Sequence, residues 1–149
     1  MLSKKKISKL LAIAMLSMTI SSIGMMTTYA AGNITDSYFD YTSMGSDNSN
    51  WTRPREKWDY TSCYIYNRNS DCAFKTQVWS VKMDYRGSAE AFEPLKNCSL
   101  EPYKQVNVWT STYLKNMVKE WGYSHCSVKM FPNVSGTVNL RGCWSSDSI

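Results

Sequence analysis

The sequence predicts a mainly β chain: a small antiparallel β-sandwich or barrel with one short helix packed on it. Three observations lead there. Apolar residues alternate with period two in several short segments, and Asn, Asp, Ser and Gly clusters separate those segments. Aromatic residues, which favour strands, are abundant, with 6 Trp, 10 Tyr and 4 Phe in 149 residues. One segment alone recurs with the helical period.

Residues 1–30 carry the three-part pattern of a secretory signal peptide: a cationic start at Lys4, Lys5, Lys6 and Lys9, an apolar middle, and small residues at the end. Thr28 and Ala30 suit the peptidase, which prefers small side chains one and three positions before the cut, so cleavage is expected between Ala30 and Ala31. Ser17, Thr19, Ser21, Ser22 and Gly24 dilute the apolar run below the ~20 residues of a stable span, so no membrane span is expected in the mature chain. The expected destination is secreted and extracellular.

Residues 31–57 read as an irregular N-terminal lead, because Asp, Asn, Ser and Gly recur from Asp36 to Asn50 without a sustained period. Residues 58–149 read as a single β-domain. Its first strand, 58–66, places Thr61, Cys63 and Ile65 on one face and Tyr60, Ser62, Tyr64 and Tyr66 on the other. Asn67-Arg68-Asn69-Ser70-Asp71 turns the chain. In a second strand, 74–85, Trp79, Val81, Met83 and Tyr85 alternate against Ser80, Lys82 and Asp84. Residues 86–102 read as a loop, and 103–110 as a third strand through Val106 and Val108.

Ser111 or Thr112 then caps a short helix in which Leu114, Met117, Val118 and Trp121 share a face, and Gly122 ends it. Two closing strands follow. The first carries Cys126, Val128 and Met130 on its apolar side; the second carries Val138, Leu140 and Trp144, after the turn Pro132-Asn133-Val134-Ser135-Gly136.

Four of the 17 basic residues lie within 1–30, which leaves 13 against 12 acidic residues and a net charge near zero in place of +5. The electrostatic drive for nucleic-acid or anionic-membrane binding goes with the signal, so neither partner is expected.

Five cysteines in an exported chain read as disulfide partners with one left over. Cys63 and Cys72 flank a turn and form the first candidate pair, with a bulge near Ala73 reconciling the apolar faces. Opposing Cys126 with Cys143 would set Val128 against Arg141, so Cys98 is the better partner for Cys126.

Catalytic arrangements fail for want of residues. The single histidine, His125, lies on the polar side of its strand, and Cys126 beside it points to the opposite face. There is no CxxC, HExxH or GxxxxGK[ST] spacing, and Asp47-Asn48-Ser49-Asn50 lacks the later Gly and Glu of a calcium loop. Glu90 and Glu93 beside Glu101 are the remaining candidates for a carboxylate pair, and acidic loop residues are usually just solvated. The expectation is no enzyme, no metal and no cofactor.

Trp51-Thr52-Arg53-Pro54-Arg55-Glu56-Lys57 leading into Thr61-Ser62-Cys63-Tyr64, with Glu120-Trp121-Gly122-Tyr123 and the ending Trp144-Ser145-Ser146-Asp147-Ser148, resembles a family of small exported proteins of Gram-positive bacteria. That family carries Glu-Asn-Gly-Tyr and a C-terminal Trp-Ser-Pro-Asp-Ser, has no assigned function, and has members beside bacteriocin-type transporter genes. Trp121 and Ser146 depart from its pattern, and the cysteines stand where the family has small or apolar residues. The resemblance spans 51–149 and implies a secreted β-domain without a catalytic residue. Two functions stay open: a bacteriocin-like effector binding a cell-surface component, and a carbohydrate- or cell-wall-binding module using the exposed row Tyr60, Tyr64 and Tyr66.

Overall fold

The computed structural model of the protein describes residues 32–44, 50–84 and 91–148. The signal segment 1–30, the Asp47-Asn48-Ser49 run, Tyr85 and Glu90 lie outside the described residues. The described chain forms β1 (Ser37–Met44), β2 (Asn50–Trp51), β3 (Arg55–Glu56), β4 (Cys63–Asn67), β5 (Phe74–Met83), β6 (Phe92–Asn97), β7 (Lys104–Val106), β8 (Ser111–Leu114), β9 (His125–Pro132) and β10 (Thr137–Ser145). One sheet runs β1-β10-β4-β8; the other runs β2-β9-β5-β6, with β3 also on β9 and β7 also on β5. The strand pairs are antiparallel.

The core lies between these sheets, as period-two strands dictate when one face of each is apolar. The first sheet contributes Phe39, Ile65, Leu140 and Trp144, and the second Phe74, Val78, Val128 and Met130. Phe39 and Phe74 meet edge to face across the interior, with ring centroids 6.2 Å apart.

Several expectations are corrected. The lead is not irregular: β1 pairs with β10 along its whole length, from Ser37 opposite Trp144 to Met44 opposite Thr137. Its alternation is weak because only Phe39 and Ser43 are buried from it, with Tyr41 partly so. Phe39 sits opposite Gly142, where an added Cβ would collide with the Tyr66 carbonyl and the Phe39 ring, so glycine is required there by close packing.

Consecutive strands also do not pair where turns suggested hairpins. β4 belongs to the first sheet and β5 to the second, and β9 and β10 are likewise divided. Part of the expected long loop is β6, paired with β5. The inner face of β5 is Phe74, Thr76, Val78 and Ser80, which turns Trp79 outward. The Thr76 and Ser80 hydroxyls enter the interior because each donates to a carbonyl, Lys104 at 2.9 Å and Lys96 at 3.3 Å. The register shift opposite Ser80 and Val81 falls in β6, where Leu95 is the extra residue, and Val81 is buried too.

The expected helix is absent: no α-helix occurs among the described residues. Ser111 to Leu114 is strand β8, held by β4, and only a single turn follows. In that turn the Trp121 N–H donates to the Met117 carbonyl, Gly122 to Lys119 and Tyr123 to Val118. Gly122, at φ 80°, therefore ends a turn with helix-terminating bonds, although no helix precedes it.

Candidate binding site

The predicted tyrosine row does not form. Tyr64 and Tyr66 do project from the outer side of β4, but Tyr60 precedes the strand, in a turn where Asp59 Oδ1 accepts the Thr61 N–H at 2.8 Å. Tyr64 packs instead beside Tyr113 of β8, with centroids 5.9 Å apart, and burial pushes its phenol above the usual range. These two rings border a 210 Å³ cleft that also reaches Ile34 and Asp36. Neither Tyr60 nor Tyr66 lines it.

The richer aromatic surface is the outer face of the second sheet. Register sets Lys129 between Trp51 of β2 and Gln77 of β5, and sets Phe131 beside Lys75. Lys129 Nζ lies 5.2 Å from the Trp51 centroid, 5.5 Å from Trp79 and 4.9 Å from Phe131, while Lys75 Nζ lies 4.6 Å from Tyr103. Trp51 packs edge-on against both Trp79 and Phe92 at 5.7 Å. Gln77 Oε1 accepts the Trp79 indole N–H at 3.1 Å, which fixes that ring. Beside them opens a cleft of about 440 Å³ whose walls include Lys75, Gln77, Tyr103, Phe131 and Asn133. The alternation of Lys129 and Phe131 against Val128 and Met130 is the sequence signal for this face.

The sequence motifs at the two ends of the β-domain meet in a buried polar cluster. Lys57 Nζ donates to Asp147 Oδ1 at 2.7 Å and to the Ser146 carbonyl at 2.8 Å. Asp147 Oδ2 accepts the N–H groups of Asn33 at 2.5 Å and Trp58 at 3.0 Å. Burial alone would raise the Asp147 carboxyl, but the Lys57 ammonium and these N–H groups overcome it and hold the acid below its ordinary range. Arg55 extends the cluster by donating to Thr35, Ser37 and Asn33. Its charges are engaged in fastening the N-terminal segment to the C-terminal one, which is a tethering arrangement.

His125 is half-buried, its Nδ1 3.0 Å from the Ser124 hydroxyl, while Cys126 is fully buried. Glu93 is exposed on β6 opposite Lys82, and Glu101 lies beyond that strand, 3.5 Å from Lys104. Among the described residues no group of three His, Cys, Asp or Glu side chains could hold a metal ion.

Both expected cysteine pairings are corrected. Cys63 begins β4, whereas the Cys72 carbonyl accepts from Asn67 at the strand's far end, at 3.2 Å, so the length of β4 separates the two cysteines. Cys98 follows β6 and Cys126 lies in β9, on opposite sides of β5, so two strand spacings of about 4.8 Å intervene. The contact that forms is Cys63 Sγ to Cys126 Sγ, 4.0 Å apart.

Residues 26–148 match the model of a family described as a protein of unknown function, DUF2712. No curated protein and no solved structure matches the chain.

Proposed function

The chain belongs to the DUF2712 family, whose function is unknown, and we propose that it is an exported, non-enzymatic binding domain that holds a cell-surface carbohydrate polymer on the outer face of its second sheet. The cleft beside Tyr103 and Phe131 carries this reading. Sugar rings present apolar C–H faces that stack on aromatic rings, and Lys75 and Asn133 supply polar side chains at the same wall. The secretory pattern of residues 1–30, with cleavage before Ala31, and the resemblance to small exported Gram-positive proteins agree with a surface polymer as ligand.

The test is retention of the purified protein on insoluble peptidoglycan and on neutral insoluble glycans. Wild type should be retained, and Tyr103→Ala should weaken retention about tenfold, the equivalent of one stacking contact of ~1.4 kcal/mol, with an unchanged unfolding midpoint. Loss of retention in Tyr64→Ala instead would move the site to the first sheet. Absence of retention combined with growth inhibition of related bacteria would replace this reading with the bacteriocin-like effector.

A further inference from the structure

We propose that Cys63 and Cys126 form a disulfide that ties the two sheets together through the core. Cys63 opens β4 of the first sheet and Cys126 lies near the start of β9 in the second. Both residues are 0 % exposed, and their sulfurs meet at 4.0 Å. A disulfide holds its sulfurs about 2.0 Å apart, so each must travel only about 1 Å, a distance that side-chain rotation supplies. The other thiols are otherwise engaged: Cys98 donates to the Lys96 carbonyl at 3.5 Å, and Cys143 to Asp36 at 3.4 Å. Cys72 is half-buried at the far end of β4.

Burial decides when the bond forms. In the closed sandwich no oxidant reaches either sulfur, and the Cys63 contact together with burial pushes the Cys126 thiol well above the usual range, which suppresses the reactive thiolate. Oxidation therefore belongs to the folding chain, before the sheets close. The oxidant is a disulfide of the glutathione or thiol-oxidoreductase class. The Cys63 thiolate attacks one of its sulfurs and expels the other as a thiolate, giving a mixed disulfide. The Cys126 thiolate then attacks the Cys63 sulfur, forming the Cys63–Cys126 bond and releasing the second oxidant sulfur. Two protein thiols are oxidised, one external disulfide is reduced to two thiols, and the protein's two protons pass to those thiols. Once closed, the bond is shielded from reductants.

The experiment refolds the full chain in reduced and oxidised glutathione, alkylates the folded fraction after denaturation, and maps its peptides without reduction. The expected result is three alkylated cysteines of the five, and one linked peptide pair containing Cys63 and Cys126 that disappears on reduction. Cys63→Ala should leave Cys126 alkylatable and abolish the link, whereas Cys72→Ala, Cys98→Ala and Cys143→Ala should each retain it. Five alkylated cysteines in the folded wild type, or a link from Cys63 to Cys72 or Cys98, would overturn the assignment. The mapping of wild type decides the matter even if a variant does not fold, and it is independent of any ligand on the outer face.

Discussion

Lys57 Nζ lies 2.7 Å from Asp147 Oδ1, with neither side chain exposed and 90 positions of sequence between them. A charge pair in this setting contributes less by its own attraction than its loss would cost, because removing one partner strands the other in a low-dielectric interior. The pair also draws Asn33 and Trp58 onto the same carboxylate, so it fastens the segments around Asn33, Trp58 and Asp147 to one another.

Lys57→Met and Asp147→Asn should each destabilise the fold by about 3–5 kcal/mol, read as a lower urea midpoint. The double variant should recover part of the loss, since the Asn carbonyl oxygen still accepts backbone N–H groups and the two charges leave together, although Asp59, 3.8 Å from Lys57 Nζ, loses its cation. Single variants that unfold at the wild-type midpoint would show that the pair contributes nothing.

Acid should act through the same carboxyl. Its folded value lies below the unfolded one, so its contribution is complete above the ordinary carboxylate range and is lost as pH falls through the depressed folded value. Stability measured against pH should decline on that acid side, and Asp147→Asn should flatten the decline. An equally steep acid limb in the variant would assign the effect to other carboxylates.

Trp144 is 1 % exposed on the inner face of β10, with Val138 and Leu140 on the same side. Trp144→Ala should cost about 3–5 kcal/mol, a large share of the roughly 5–15 kcal/mol that stabilises a domain. Equilibrium denaturation checks this; an unchanged midpoint would mean that β10 does not close the core.

Oxidised and reduced wild type should differ by about 4 kcal/mol, between the ~3 and ~4.7 kcal/mol that chain entropy assigns to closed loops of about 15 and about 100 residues. Cys63 and Cys126 are 63 positions apart. Denaturant midpoints with and without a reductant measure the difference, and Cys126→Ala should show none.

Local alternation made much of β4, β9 and β10 legible. Cys63 and Ile65 face inward against Tyr64 and Tyr66, and Val128 and Met130 face inward against Lys129 and Phe131. The outer aromatic face was legible only in part, because Trp79 alternates with Ser80 and the polar hydroxyl, bonded to the Lys96 carbonyl, takes the inner side in place of the indole. The helical spacing of Leu114, Met117, Val118 and Trp121 misled for a different reason: backbone bonds to β4 outweigh a weak local period over so few residues.

The sequence by itself determined the β class, the inward side of the regular strands, the burial of Trp144 and the breakpoint at Gly122, since each depends on side-chain period or on one residue's backbone freedom. Tertiary structure decided which strands share a sheet, and with that everything depending on long-range proximity. Period two tells which face of β4 is apolar, but not whether that face meets its chain neighbour β5 edge to edge or across the core. Because β4 and β9 lie in opposite sheets, Cys63 meets Cys126 and not Cys72, and because β1 lies along β10, Asn33 reaches Asp147. Such contacts join residues tens of positions apart, and they are chosen by the packing of the whole sandwich.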